Sequence, residues 1–176
     1  YRIKELYGCT GTPNEGTKVN PVEQARMIRE AEENDPMLRG RVITGVADPA
    51  IFDESRGESI AAMQEKSPNF LHWMPGDHTR LAGKMQFHYR LAFDEEGKPM
   101  FQVFDTCKHF IRTIPNLVYD ESRVEDIDTT QEDHIYDECR YVLMENPISP
   151  RQHMEATLLR DDPLELDGRR TKFYRV

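Results

Sequence analysis

Residues 41–53 read RVITGVADPAIFD. Residues 41–47 form a short apolar run that reads as a buried strand. The run ends directly on Asp48-Pro49. In open α/β sheets, ligands collect outside the carboxyl ends of the strands. A carboxylate at that position is held by a rigid element and still reaches solvent. The competing account makes Asp48 a turn or cap residue, since Asp-Pro commonly starts a turn.

Working outward, residues 1–7 (YRIKELY) alternate Ile3 with polar neighbours and predict a strand. Residues 8–20 are rich in Gly, Thr, Pro and Asn and predict a loop. Asn20 is placed to cap a helix that opens on Pro21 and runs to about Glu33, with Val22, Ala25, Met27 and Ile28 as its apolar face. A short helix is expected over 58–64, a strand over 69–74, and a helix over 78–91. A turn is expected at 94–98 (DEEGK), a strand at 100–104, and a helix over 106–117 that stops near Pro115. After an acidic connector, Thr129 and Glu132 have the spacing of a capping box, which predicts a helix to Met144. Strands alternating with helices give an α/β domain. The expected division is one domain over 1–145 and an irregular, Pro-containing tail over 146–176.

Composition narrows the function. A chain of 176 residues suits one domain, with 38% hydrophobic and 31% charged residues. No run approaches the roughly 18 apolar residues of a membrane span, so no membrane role is expected. The opening YRIKELYGC lacks the apolar run and small-residue cleavage site of a secretory leader. Cys9, Cys107 and Cys139 are odd in number and far apart, which fits a reducing cytosol better than a disulfide framework or zinc ribbon. A net charge of −9 counts against a simple DNA-binding module. It counts less against a nuclease, whose active-site carboxylates are offset by bound metal.

The second place where acids gather is residues 132–141, EDHIYDECRY. On a helix, Asp133 and Asp137 share a face, and His134 can converge with Asp137. Ile135, Cys139 and Val142 then form the opposite, core-facing stripe. Mg²⁺ and Mn²⁺ take such carboxylate oxygens together with water and phosphate. The plain alternative is an acidic first turn favoured by the helix dipole, which covers Glu132 and Asp133 better than Asp137. Asp105 is expected to cap a helix, and Asp126 and Asp128 to be solvated. Arg80, Lys84 and Arg90 lie at helical spacing as candidate contacts for DNA phosphates, or as an ordinary solvated face. Residues 8–16 lack the Gly-Lys-Ser/Thr ending of a nucleotide-binding loop.

Four stretches, taken in order, resemble the carboxy-terminal nuclease part of phage large terminase subunits: GVADPAIFD (45–53), LAGKMQFHYRL (81–91), VFDTCKHFIRTIPNLVYD (103–120) and EDIDTTQEDHIYDECRYVLM (125–144). The resemblance covers about residues 1–144. It implies a ribonuclease H-like fold, a mixed central sheet flanked by helices, with carboxylates that bind two Mg²⁺ or Mn²⁺ ions and hydrolyse phosphodiester bonds. Asp48 matches the acid at the end of a central strand. Asp137 best matches the acid on the late helix, with Asp133 its close competitor and His134 beside them. The family's first acid lies on a strand that would precede Tyr1, so the fold is expected to lack its first strands and the fragment to be inactive alone. The resemblance also implies double-stranded DNA as substrate, the portal protein and small terminase subunit as partners, and the host cytoplasm as location. Two rivals remain: a non-catalytic docking domain for packaging subunits, and another ribonuclease H-like nuclease such as a junction resolvase.

Overall fold

The computed structural model describes residues 1–66, 68–149 and, as backbone, 173–175. Strand β1 (Ile43–Ala47) lies at the centre of a small sheet, between β2 (Trp73–Pro75) and β3 (Phe173–Arg175). Both pairings are parallel, with Gly45 opposite Trp73 on one side and Ile43 opposite Phe173 on the other. The helices are α1 (Pro21–Asn34), α2 (Ile60–Glu65), α3 (Arg80–Leu91), α4 (Lys108–Thr113) and α5 (His134–Met144). The chain is thus a mixed α/β structure around a small parallel sheet. No helix among the described residues is long and apolar enough to cross a membrane.

Several elements start where local chemistry puts them. Asn20 caps α1, its side chain accepting from the Glu23 N–H at 3.0 Å, and Pro21 occupies the first turn, where no N–H partner is needed. Ser59 caps α2 through the Ala62 N–H at 3.3 Å. On α5, Ile135 and Cys139 are buried as the periodicity requires, joined by Tyr136 and Leu143. These residues pack with Phe87, Cys107, Phe110 and Ile127 into one apolar cluster. A second cluster joins Ala25, Ala61, Leu71 and Trp73.

Other expectations give way to longer-range contacts. The segments 1–7 and 100–104 do not form full strands; they meet in one parallel bridge, Arg2 with Val103. The first segment acts through a side chain instead. The Glu5 carboxylate accepts the His109 and Phe110 N–H groups at 2.6 and 3.2 Å, satisfying orphan donors at the start of α4. That contact does the work expected of Asp105, since α4 has no local side-chain cap. The strand expected over 69–74 shortens to Trp73–Pro75, because Phe70 adopts a left-handed φ of 50° that extended pairing forbids. The capping box does not form. Helix α5 begins only at His134, with Asp133 rather than Thr129 at its N-cap, and Glu132 is drawn away by Arg112 and Tyr7. Within the tail, Phe173–Arg175 forms β3, whereas residues 150–172 lie outside the described residues.

The packing of α3 on α5 turns on one glycine. A Cβ at Gly83 would meet Arg140 Cγ at 2.0 Å and Cδ at 2.4 Å. Alanine in mid-helix ordinarily gains roughly 1 kcal/mol over glycine. Here the fully buried Arg140 stem cannot yield, so the steric cost wins. Gly83→Ala is expected to destabilise the fold by about 1–3 kcal/mol, the usual range for overpacking. Denaturant titration with an unchanged m-value checks the sign.

Candidate functional site

Asp48 and α5 meet across a cavity of about 300 Å³. The strand delivers Val46, Ala47 and Asp48 to it, and the helix delivers His134, Asp137, Glu138 and Tyr141. The helical residues sit at i, i+3, i+4 and i+7, which is one face of a helix. The opposite face carries the buried Ile135 and Cys139, so α5 fills the core on one side and lines the cavity on the other. The far wall is built by Gln24, Gln64 and Trp73. The Trp73 indole N–H donates to Gln64 Oε1 at 2.7 Å, and Gln64 Nε2 donates to Gln24 Oε1 at 2.9 Å.

Asp48 is exposed and held at both oxygens. Oδ1 accepts the Ala50 N–H at 2.7 Å, which caps the 3₁₀ turn Pro49–Phe52. Oδ2 accepts the Tyr141 hydroxyl at 2.8 Å, a contact across the fold. Asp48 is therefore the turn and cap residue that Asp-Pro suggests, and it also borders the cavity. Burial, and then the Asp48 acceptor, push the Tyr141 phenol well above its ordinary pKa, so it stays a donor.

Asp137 is half-buried and faces two guanidinium groups. Arg140 reaches its Oδ1 through Nη2 at 2.9 Å and Nε at 3.2 Å, and Arg80 Nη1 lies 3.4 Å from the same oxygen. Arg80 also grips Asp126, Nε to Oδ2 at 2.6 Å and Nη2 to Oδ1 at 3.3 Å. Asp126 is thus 5% exposed, not solvated as its connector position suggested. Burial alone would raise its pKa, but the Arg80 hydrogen bond and the Ile127 N–H outweigh burial and hold it below the ordinary carboxylate value.

Asp133 stands apart from the cavity. It occupies the N-cap position of α5 without a side-chain capping bond, and it is 7% exposed. Burial, and then the neighbouring Asp137 charge, raise its pKa. Glu138 was not anticipated. It lines the cavity, is raised by burial, and is opposed in this by its ion pair with Arg2. Its spacing from His134, four residues on, was available in the sequence; the Arg2 partner and the two glutamines were not.

The basic residues of α3 are engaged within the chain. Lys84 donates to the Glu125 carbonyl and lies 4.3 Å over the Tyr119 ring. Arg90 reaches Gln86 and the Asn146 carbonyl. Arg80 alone borders the acids that face the cavity.

The donor set of the cavity, chiefly carboxylate oxygen, suits Mg²⁺ or Mn²⁺. Among the described residues no three His, Cys, Asp or Glu side chains converge as a ready-made cage. A divalent ion held by Asp48 and Asp137 would complete its shell with water and phosphate, as Mg²⁺ commonly does. No protein-family model, curated protein or solved structure matches the chain at a significant level.

The raised Asp133 carboxyl gives a pH signature. A native state that binds its proton more tightly than the unfolded chain loses stability as pH rises from the ordinary value of 3.8 through the raised folded pKa. That cost is larger at neutral pH than in acid. Asp133→Asn is therefore expected to raise the thermal midpoint at pH 7 in the presence of chelator. The gain should vanish below about pH 3, where the carboxyl is protonated in both states. Thermal melts across pH check it.

Proposed function

We propose that this chain belongs to the nuclease domain of a phage large terminase subunit, a ribonuclease H-like fold that serves metal-dependent cleavage of double-stranded DNA. The single observation that carries the reading is that Asp48 and Asp137, from a strand end and a helix far apart in the sequence, line one cavity with His134. The four-stretch sequence resemblance supports it independently. Asp48 and Asp137 are the residues that would hold the cations. His134 borders them, and Asp133 lies beside Asp137, whose charge helps to raise the Asp133 pKa. Two divalent ions, when bound, supply Lewis acidity to the scissile phosphate and to the water that attacks it.

The chain's own residues prepare that site. Arg140 fixes the Asp137 rotamer from a buried position, and a buried guanidinium with directed donors holds its acceptor more rigidly than an exposed one. Arg80 has one face on Asp126 and the other toward Asp137, and its side chain is 27% exposed. It is the basic residue best placed to meet a DNA phosphate approaching the acids. Lys84 and Arg90 would first have to leave their carbonyl partners.

The net charge of −9 and the engagement of all three basic residues favour a second reading, a non-catalytic docking domain for the portal protein or the small terminase subunit. Calorimetric titration with Mn²⁺ separates the two. On the nuclease reading the chain binds Mn²⁺, and Asp48→Ala and Asp137→Ala each weaken binding by roughly tenfold or more, at least the cost of losing an outer-shell partner. Equal binding by all three proteins, or none by the parent chain, would refute the metal site and leave the docking reading.

A further inference from the structure

The Asp48 carboxylate has about four lone-pair directions. One on Oδ1 is taken by the Ala50 N–H, at 2.7 Å, and one on Oδ2 by the Tyr141 hydroxyl, at 2.8 Å. Each oxygen keeps one direction for a further ligand. The two donors also fix the plane of the carboxylate, which an exposed aspartate would otherwise leave free to rotate.

Tyr141 is itself fixed. It is 5% exposed. Its ring lies against Gly76, where a Cβ would stand 2.7 Å from Tyr141 Cβ and Cγ. Gly76 is tied in turn to the strand end, its N–H donating to the Ala47 carbonyl at 2.8 Å. The Arg140 guanidinium lies 5.0 Å from the ring centroid. Tyr141 stands four residues after Asp137 on α5, so the helix face that carries one acid carries the group that holds the other.

We infer that Tyr141 is a positioning residue that sets the orientation of Asp48 toward a divalent cation shared with Asp137. The inference rests on the metal-site reading given above. An outer-shell hydrogen bond to a ligating carboxylate typically contributes 10- to 100-fold in metal affinity. It costs the site nothing in charge, because the phenol donates without adding a cation. It also couples the site to the packing of α5, since any shift of the helix would move both acids together.

Mn²⁺ affinity, read from the free-ion signal in electron paramagnetic resonance, tests it on four variants. Tyr141→Phe keeps the ring on Gly76 and loses only the hydroxyl. Tyr136→Phe is the matched control, because it removes another buried hydroxyl of the same helix, one with no hydrogen-bond partner among the described residues. Asp48→Asn retains an acceptor oxygen, and the last variant combines it with Tyr141→Phe. The expected result is a roughly tenfold weaker Mn²⁺ affinity in Tyr141→Phe, at the low end of outer-shell effects. Tyr136→Phe should keep the parent affinity. In the Asp48→Asn background Tyr141→Phe should cause no further loss, because its effect passes through Asp48. Parent-like affinity in Tyr141→Phe, or an equal further loss in the Asp48→Asn background, would overturn the inference while Asp48 remained a ligand. Parent-like affinity in Asp48→Asn itself would instead overturn the metal reading, and this inference with it.

Discussion

The arrangement depends on the burial of one cation. Arg140 is 1% exposed, and its stem passes through the space that a side chain at Gly83 would fill. A buried guanidinium is costly unless it is paired, and Asp137 on the same helix supplies the counter-charge. Three consequences follow from that placement. Helix α3 must approach α5 closely, Asp137 must point toward the guanidinium, and Tyr141, the residue after Arg140, must face the strand end. The acid that is proposed to hold metal is thus oriented by the same contact that seats the helix.

Around this contact the charges are arranged as a chain. Arg80 bridges Asp126 in the connector and Asp137 on α5. Glu132, just before α5, is held by Arg112 and Tyr7, and the Arg112 hydrogen bond lowers its carboxyl to about 2. Asp133, one residue on, is raised, because burial and the Asp137 charge outweigh the nearby His134 and Arg80. Adjacent acids are therefore driven in opposite directions by their surroundings alone. A buried carboxylate whose pKa is raised lowers stability at neutral pH, and natural proteins retain such features where function requires them. The same pattern accommodates both the nuclease reading and a structural role, which is why metal affinity decides between them and charge does not.

The sequence was legible where the cause was local. The Asn20 cap, the Pro21 start and the burial of Ile135 and Cys139 on α5 follow from residue type and spacing, and they stand in the structure. Val142, by contrast, is only half-buried, and Asp133 sits before the helix at its N-cap. The strand ending on Asp48 was readable for the same reason. The failures share a different cause. Glu5 caps a helix about a hundred residues away, with a sequence separation of 104 to His109, and no local pattern announces it. Asp126 looked solvated because its partner Arg80 is 46 positions distant. Residues 69–74 shortened because Phe70 takes a left-handed conformation that its residue type disfavours. Glu138 and Tyr141 lay on the helical face already drawn for Asp137, so the spacing was there and only their partners were hidden.

Trp73 is the one tryptophan of the chain and lines the same cavity as Asp48 and Asp137. Its fluorescence therefore tests most directly whether a divalent cation binds between those acids. Mn²⁺, being paramagnetic, quenches an indole only at short range. The account expects saturable quenching of Trp73 by Mn²⁺, reversal by excess Mg²⁺, and loss of the effect in Asp48→Ala. Absence of saturable quenching, or quenching that persists unchanged in Asp48→Ala, would contradict it.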